Sequence, residues 1–106
     1  MNKYHNKKCT YKDTIFDSKK ERDYYIVLEM MLKNKQISDL RTQVKFELQP
    51  SFKFKGKTIR SINYIADFTY MKDGQLVIVD TKGYRTEVYK LKKKMMQFKG
   101  YDIKEI

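Results

Sequence analysis

Two acids thirteen residues apart, Asp67 and Asp80, each close an apolar run. Tyr64-Ile65-Ala66 precedes the first, and Leu76-Val77-Ile78-Val79 precedes the second. Between them, Lys72-Asp73-Gly74-Gln75 carries the Asp-Gly signature of a two-residue hairpin loop. With that loop, Lys72 faces Gln75, Tyr70 faces Val77, Phe68 faces Val79 and Asp67 faces Asp80. Directly opposed side chains stand about 4.5–5.5 Å apart at Cβ, and like charges placed so repel. An acid at the end of a buried strand is costly unless something compensates it. A hard divalent cation compensates two such acids. Mg²⁺ takes carboxylate and carbonyl oxygens plus waters, with Mn²⁺ as a substitute. Asp67 and Asp80 supply the carboxylates, and the Thr81 carbonyl is a natural third ligand. Lys82 lies two residues beyond Asp80 on the same face, about 7 Å along the strand. It could orient or deprotonate an attacking water, or neutralise a phosphate. The plain alternative is a surface ladder in which Lys82 screens two acids.

These residues need elements to hold them. Residues 1–14 are polar and basic without period and read as a basic flexible arm; 15–106 read as one domain. Ser18 with Glu21 three residues later has capping-box spacing. Behind it, Tyr24, Tyr25, Val27, Leu28, Met31 and Leu32 recur at helical steps, predicting a helix over about 18–35. From Gln43 the period becomes two: Val44, Phe46 and Leu48 alternate with Gln43, Lys45 and Glu47, up to Pro50. Phe52 and Phe54 alternate with Lys53 and Lys55, and Gly56 makes a turn. Ser61 to Tyr70 is strand-like, and Leu76 to Val79 reads as a central strand. Thr86 opens a second helix to about Phe98, with Val88, Leu91 and Met95 on one face. Residues 101–106 suggest a last short strand.

A helix bearing Glu21, a strand ending in Ala66-Asp67, a strand ending in Asp80-Thr81-Lys82 and a basic helix together resemble the PD-(D/E)xK nuclease superfamily. More closely, Phe16-Asp17-Ser18-Lys19-Lys20-Glu21, Gln43 to Leu48, Tyr64-Ile65-Ala66-Asp67-Phe68 and Val79-Asp80-Thr81-Lys82-Gly83 resemble a family of small phage proteins. That family is grouped with the superfamily and is similar to Holliday-junction resolvases. The resemblance covers nearly the whole chain after about residue 15. It implies an α/β restriction-endonuclease-like core, a mixed β-sheet flanked by two helices. It further implies that Asp67 and Asp80 bind the metal, that Lys82 serves the attacking water and that Glu21 completes the site. The departure is Ala66, where the superfamily motif has Pro; that position does no chemistry. Glu21 also has a purely structural role open to it, since a capping box is satisfied without metal for about 1 kcal/mol.

Lys plus Arg is 24 against 13 Asp plus Glu, a formal charge of +11. Such an excess points to a polyanionic partner, most simply DNA. Twenty of the cations are Lys and only four are Arg. Lys suits phosphates, whereas Arg is the usual reader of guanine. Backbone or shape recognition is therefore expected, and part of the Lys excess fits an AT-rich coding sequence. From Lys82 to Lys99 there are seven basic residues and one acid, Glu87. Lys90, Lys93 and Lys94 share a helical face, with Tyr89 near it. Together with Arg85, and with Lys45 and Arg60 nearer the other strands, they form the expected DNA track. A solvated charged face is the alternative. Gln43 and Lys45 alternate to one face of their strand and either border the site or are plain outer surface.

One Cys (Cys9) and one His (His5) exclude a disulfide framework and a Cys/His zinc site within one chain. The longest apolar run is Tyr24 to Leu28, far short of the ~20 residues of a membrane span. A cytoplasmic protein is expected, in a bacterial host if phage-encoded. The expected function is Mg²⁺-dependent phosphodiester hydrolysis in branched or structured DNA. A junction's two-fold character implies a homodimer. The competing classes are a non-catalytic nucleic-acid-binding protein and a phage protein that binds a host protein.

Overall fold

The computed structural model describes residues 7–81 and 84–106. The chain runs β1 (Cys9–Tyr11), β2 (Thr14–Phe16), α1 (Lys19–Lys33), β3 (Ser38–Gln49), β4 (Phe52–Phe54) and β5 (Lys57–Ile59). It continues through β6 (Ile62–Lys72), β7 (Gln75–Asp80), α2 (Glu87–Phe98) and β8 (Ile103–Glu105). The central sheet has the order β3-β6-β7-β8. Its first three strands are antiparallel, and β8 returns through α2 to pair parallel with β7. The fold is thus mixed α/β, with a mixed sheet and two helices.

The β6–β7 hairpin has the expected register, with Lys72 paired to Gln75, Tyr70 to Val77 and Phe68 to Val79. Asp73 and Gly74 both have positive φ, 52° and 76°. That combination matches the twist of a tight hairpin and suits Asp-Gly. The paired ladder ends at Phe68 and Val79, one step short of Asp67 and Asp80.

Helix α1 starts where Ser18 Oγ accepts the Glu21 N–H at 3.1 Å. It packs Leu28, Tyr24, Tyr25 and Met31 against Phe16, Ile37, Phe68, Tyr70 and Val79. Removing Phe68, which is fully buried, would cost about 3–5 kcal/mol. Helix α2 is capped by Thr86, whose Oγ1 accepts the Tyr89 N–H at 3.0 Å. It packs Tyr89, Met95 and Met96 against Leu48, Tyr64, Ala66, Ile78 and Ile103.

Three expectations change. Residues 9–16 form the β1–β2 hairpin rather than an arm reaching to residue 14. Tyr11 packs edge-on against Tyr25 and donates to Glu29 Oε1 at 2.7 Å, which ties the hairpin to α1. Strand β3 begins at Ser38 rather than Gln43. The left-handed Asp39 (φ 52°) and a register shift between Ser38 and Arg41 hide its period. The face of α2 expected to be core is instead exposed at Val88 and Leu91. Tyr89 and Met96 take that place because the wider Tyr ring, one position on, reaches both Tyr64 and Glu105. Among the described residues no helix is long and apolar enough to cross a membrane.

Candidate active site

Gln43 on β3 and Asp67 on β6 lie level with one another, and Asp80 closes β7. Thr42 pairs with Phe68 and Val44 with Ala66, so Gln43 lies level with Asp67. Gln43 has left-handed backbone (φ 52°) inside a strand, a conformation that costs a side-chain-bearing residue roughly 1–2 kcal/mol. Its neighbour Asp67 marks the point where β6 passes from one core to the other. Ala66 packs in the α2 core and Phe68 in the α1 core, although strict alternation would send both to the same face. The irregularity sits beside the acids, as local strain at functional sites often does.

Each acid is oriented by a protein donor. Asp67 Oδ2 accepts both the Thr81 N–H and the Thr81 hydroxyl, each at 2.8 Å. Asp80 Oδ2 accepts the Tyr64 hydroxyl in a short hydrogen bond. Glu21 Oε1 accepts the Asp17 N–H at 3.3 Å, and Oε2 accepts the Gln43 amide at 3.2 Å. Glu21 is 4% exposed and Asp80 0%. Burial, and then the neighbouring Asp67 carboxylate, push the Glu21 carboxyl up to about 7; Asp17 and Asp80 add to the effect. The Tyr64 hydroxyl is held protonated well above its ordinary range by burial and by its bond to Asp80. The capping box is therefore only half formed. Ser18 caps the helix, but the Glu21 carboxylate turns to Asp17 and to Gln43 on β3.

The donor set is all hard oxygen, the chemistry of a Mg²⁺ or Mn²⁺ site. Even so, among the described residues no three His, Cys, Asp or Glu side chains are gathered closely enough to hold a cation. The hydrogen bonds give a physical reason, since Glu21, Asp67 and Asp80 are each turned toward a donor of their own. The acids thus offer oxygen ligands of the right chemistry but no ready cage. Lys82 lies outside the described residues.

The basic residues divide. Lys45 and Arg60 are exposed, as are Lys90 and Lys94. Lys90 sits 3.5 Å from Glu87. Arg85, Tyr89 and Lys93 gather around Glu105 on β8. Arg85 donates twice to Glu105, at 3.0 and 3.1 Å. Lys93 lies 3.2 Å from the same carboxylate, and the buried Tyr89 donates to it at 2.6 Å. Arg85 and then Tyr89 hold the Glu105 carboxyl down at about 2. Helical spacing puts Lys93 with Lys90 and Lys94, but it cannot reveal an acid eleven or more residues later on β8.

Sequence reasoning missed two site residues. Tyr64 reads as an apolar strand residue, and its spacing of three before Asp67 gives no sign that its hydroxyl reaches Asp80. Gln43 is legible as a border residue, but its grip on Glu21 is not.

The chain belongs to the family described as protein of unknown function (DUF1064), whose model matches residues 1–106. No curated protein and no solved structure matches the chain significantly.

Proposed function

We propose that this DUF1064 member is a metal-dependent DNA endonuclease with a restriction-endonuclease-like core, acting on branched or structured DNA as Holliday-junction resolvases do. One observation carries the proposal. Buried Glu21 on α1 lies within electrostatic reach of Asp67 on β6 and Asp80 on β7, and its carboxyl is raised to about 7 by burial and by Asp67. A buried acid whose carboxyl is raised by burial and by neighbouring carboxylates is a functional-site candidate.

Asp67, Asp80, Glu21 and the Thr81 carbonyl would hold the cation, Mg²⁺ or Mn²⁺. When bound, the metal supplies charge stabilisation at the phosphate oxygens. Thr81 fixes Asp67, Tyr64 fixes Asp80, and Gln43 fixes Glu21. Below about pH 7 Glu21 carries a proton in the metal-free protein, and above it the carboxylate is ready to serve as a ligand. Lys82, next to Thr81 in the chain, assists the attacking water. Exposed Lys45, Arg60, Lys90 and Lys94 contact phosphates. The enzyme works as a homodimer on two-fold junctions, in the cytoplasm of the cell that makes it.

A second assignment, a nucleic-acid-binding protein without cleavage, is favoured by the lack of a ready three-acid cluster among the described residues. Linear, single-stranded, flapped and four-way DNAs incubated with Mg²⁺ or Mn²⁺, and with EDTA, separate the two. Cleavage that needs the cation and vanishes in Asp80→Asn is the expected result. Binding without cleavage in any cation leaves the second assignment standing.

A further inference from the structure

Beyond the acids, β4 and β5 form a two-stranded ribbon of their own. Gln49 pairs with Ile62, and β4 and β5 continue in step with that pairing, with Phe52 opposite Ile59, Lys53 opposite Thr58 and Phe54 opposite Lys57. From Gln49 and Ile62 outward, the β3–β6 pair and the β4–β5 hairpin thus keep one register, beyond a shift between Glu47 and Gln49 and across breaks at Pro50-Ser51 and Arg60-Ser61. From the level of Gln43 to the turn at Gly56 is thirteen residues, a reach of roughly 40 Å at strand rise. That is about one turn of duplex away from the acids.

Every residue from Pro50 to Arg60 is exposed. One face of the hairpin carries Phe52 and Phe54, 44% and 57% exposed, beside Ile59. The other carries Lys53, whose Nζ donates to Thr58 Oγ1 at 2.6 Å. Lys55 Nζ lies 5.5 Å from the centre of the Phe54 ring. Lys53, Lys55, Lys57 and Arg60 give the hairpin, residues 50–60, four cations and no acid. A second copy of the hairpin would meet it with like charge. The charge calls for a polyanion, and the bare rings call for a flat apolar surface. Unpaired nucleotides offer both at once.

We infer that the β4–β5 hairpin reads breaks in DNA pairing, with Phe52 and Phe54 stacking on unpaired bases while Lys53, Lys55, Lys57 and Arg60 hold the flanking phosphates. This rests on the preceding proposal that the partner is DNA, but not on cleavage. Base–aromatic stacking is sequence-tolerant, in keeping with the scarcity of Arg for reading bases. It would select a gap, flap or junction over continuous duplex.

The test is equilibrium binding of the full chain, in EDTA, to a labelled duplex and to the same duplex with a short single-stranded gap carrying 2-aminopurine. Wild type is expected to prefer the gapped DNA and to change the 2-aminopurine fluorescence. Phe52→Ala and Phe54→Ala should each weaken gapped-DNA binding about tenfold and leave duplex binding within about twofold. Phe54→Leu, which keeps apolar area but no ring, should lose most of the fluorescence change. Because both rings are exposed, unchanged melting temperatures will show that the variants fold. Equal binding of both DNAs by wild type and variants would overturn the inference, as would an equal loss on both. So would a wild-type dimer, seen by sedimentation, that Phe52→Ala dissociates. Cation-dependent cleavage without gap preference removes the hairpin's role alone. Gap preference without cleavage removes the nuclease alone.

Discussion

Asp80 and Glu105 are paired neighbours on β7 and β8, yet they belong to opposite kinds of carboxylate centre. Glu105 is met by Arg85 and Lys93, with Tyr89 as a third donor, and its carboxyl falls to about 2. Asp80 lies with Asp67 and Glu21, and there the Glu21 carboxyl rises to about 7. Glu21 accepts from neutral donors, the Asp17 N–H and the Gln43 amide. One centre is complete as it stands and holds β8 to α2. The other gathers negative charge that a cation would relieve. The difference separates an acid matched by cations from an acid pressed by its neighbours, within one sheet and one strand spacing.

The sharpest way to break this contrast is to neutralise one acid in each centre. Asp80→Asn should reduce cation-dependent cleavage by at least about a hundredfold, the scale of losing even a group that only orients a metal ligand. Glu105→Gln should retain cleavage within a few-fold, while losing roughly 1–3 kcal/mol of stability measured by denaturant unfolding. Comparable cleavage loss in both variants would merge the two centres into one.

The pH dependence of stability should run in opposite directions for the two. In the metal-free protein Glu21 binds its proton more tightly folded than unfolded. Its contribution is fully present below about 4.5, falls as pH rises and is lost above about 7, a change of roughly 3 kcal/mol. Glu105 binds its proton less tightly folded. Its contribution is present above about 4.5 and is lost as pH falls toward about 2. In EDTA, Glu21→Gln should match wild type near pH 4 and be more stable at pH 8. Glu105→Gln should be less stable than wild type at pH 6 and approach it at pH 2–3. Parallel curves for wild type and Glu21→Gln across pH 4–8 would show that Glu21 is not pressed by its neighbours.

The smallest effect concerns the basic helix. Replacing exposed Lys90 and Lys94 by Gln should lower the slope of log affinity against log salt by about 0.9 for each phosphate left without its cation. Lys93→Gln should leave that slope unchanged and instead lower the melting temperature, because Lys93 serves Glu105. A slope change for Lys93→Gln equal to that of Lys90→Gln would return all three lysines to one DNA-facing track.

Local chemistry makes some of this legible in the chain alone. Asp73-Gly74 dictates a two-residue turn, which fixes the register from Lys72–Gln75 to Phe68–Val79 and leaves Asp67 and Asp80 one step beyond it. Ser18 and Thr86 mark both helix starts by the bonds their hydroxyls accept. What stays hidden depends on distance in sequence. The Glu105 centre joins β8 to α2, the Tyr64 hydroxyl crosses strands to Asp80, and Gln43 reaches from β3 to α1. None of these leaves a periodic trace. Helix α2 misleads for a related reason. Val88, Leu91 and Met95 have core spacing, but the sheet selects Tyr89 and Met96 because the Tyr ring also satisfies a buried polar partner.

The most direct test of the acid centre is the melting temperature of the metal-free protein as Mg²⁺ or Mn²⁺ is added. A cation that binds only the folded chain stabilises it by RT ln(1 + [L]/Kd), so wild type and Glu105→Gln should rise together with cation concentration. Asp80→Asn should start higher in EDTA and rise much less. Equal responses of wild type and Asp80→Asn would contradict the claim that Asp67, Asp80 and Glu21 share a cation.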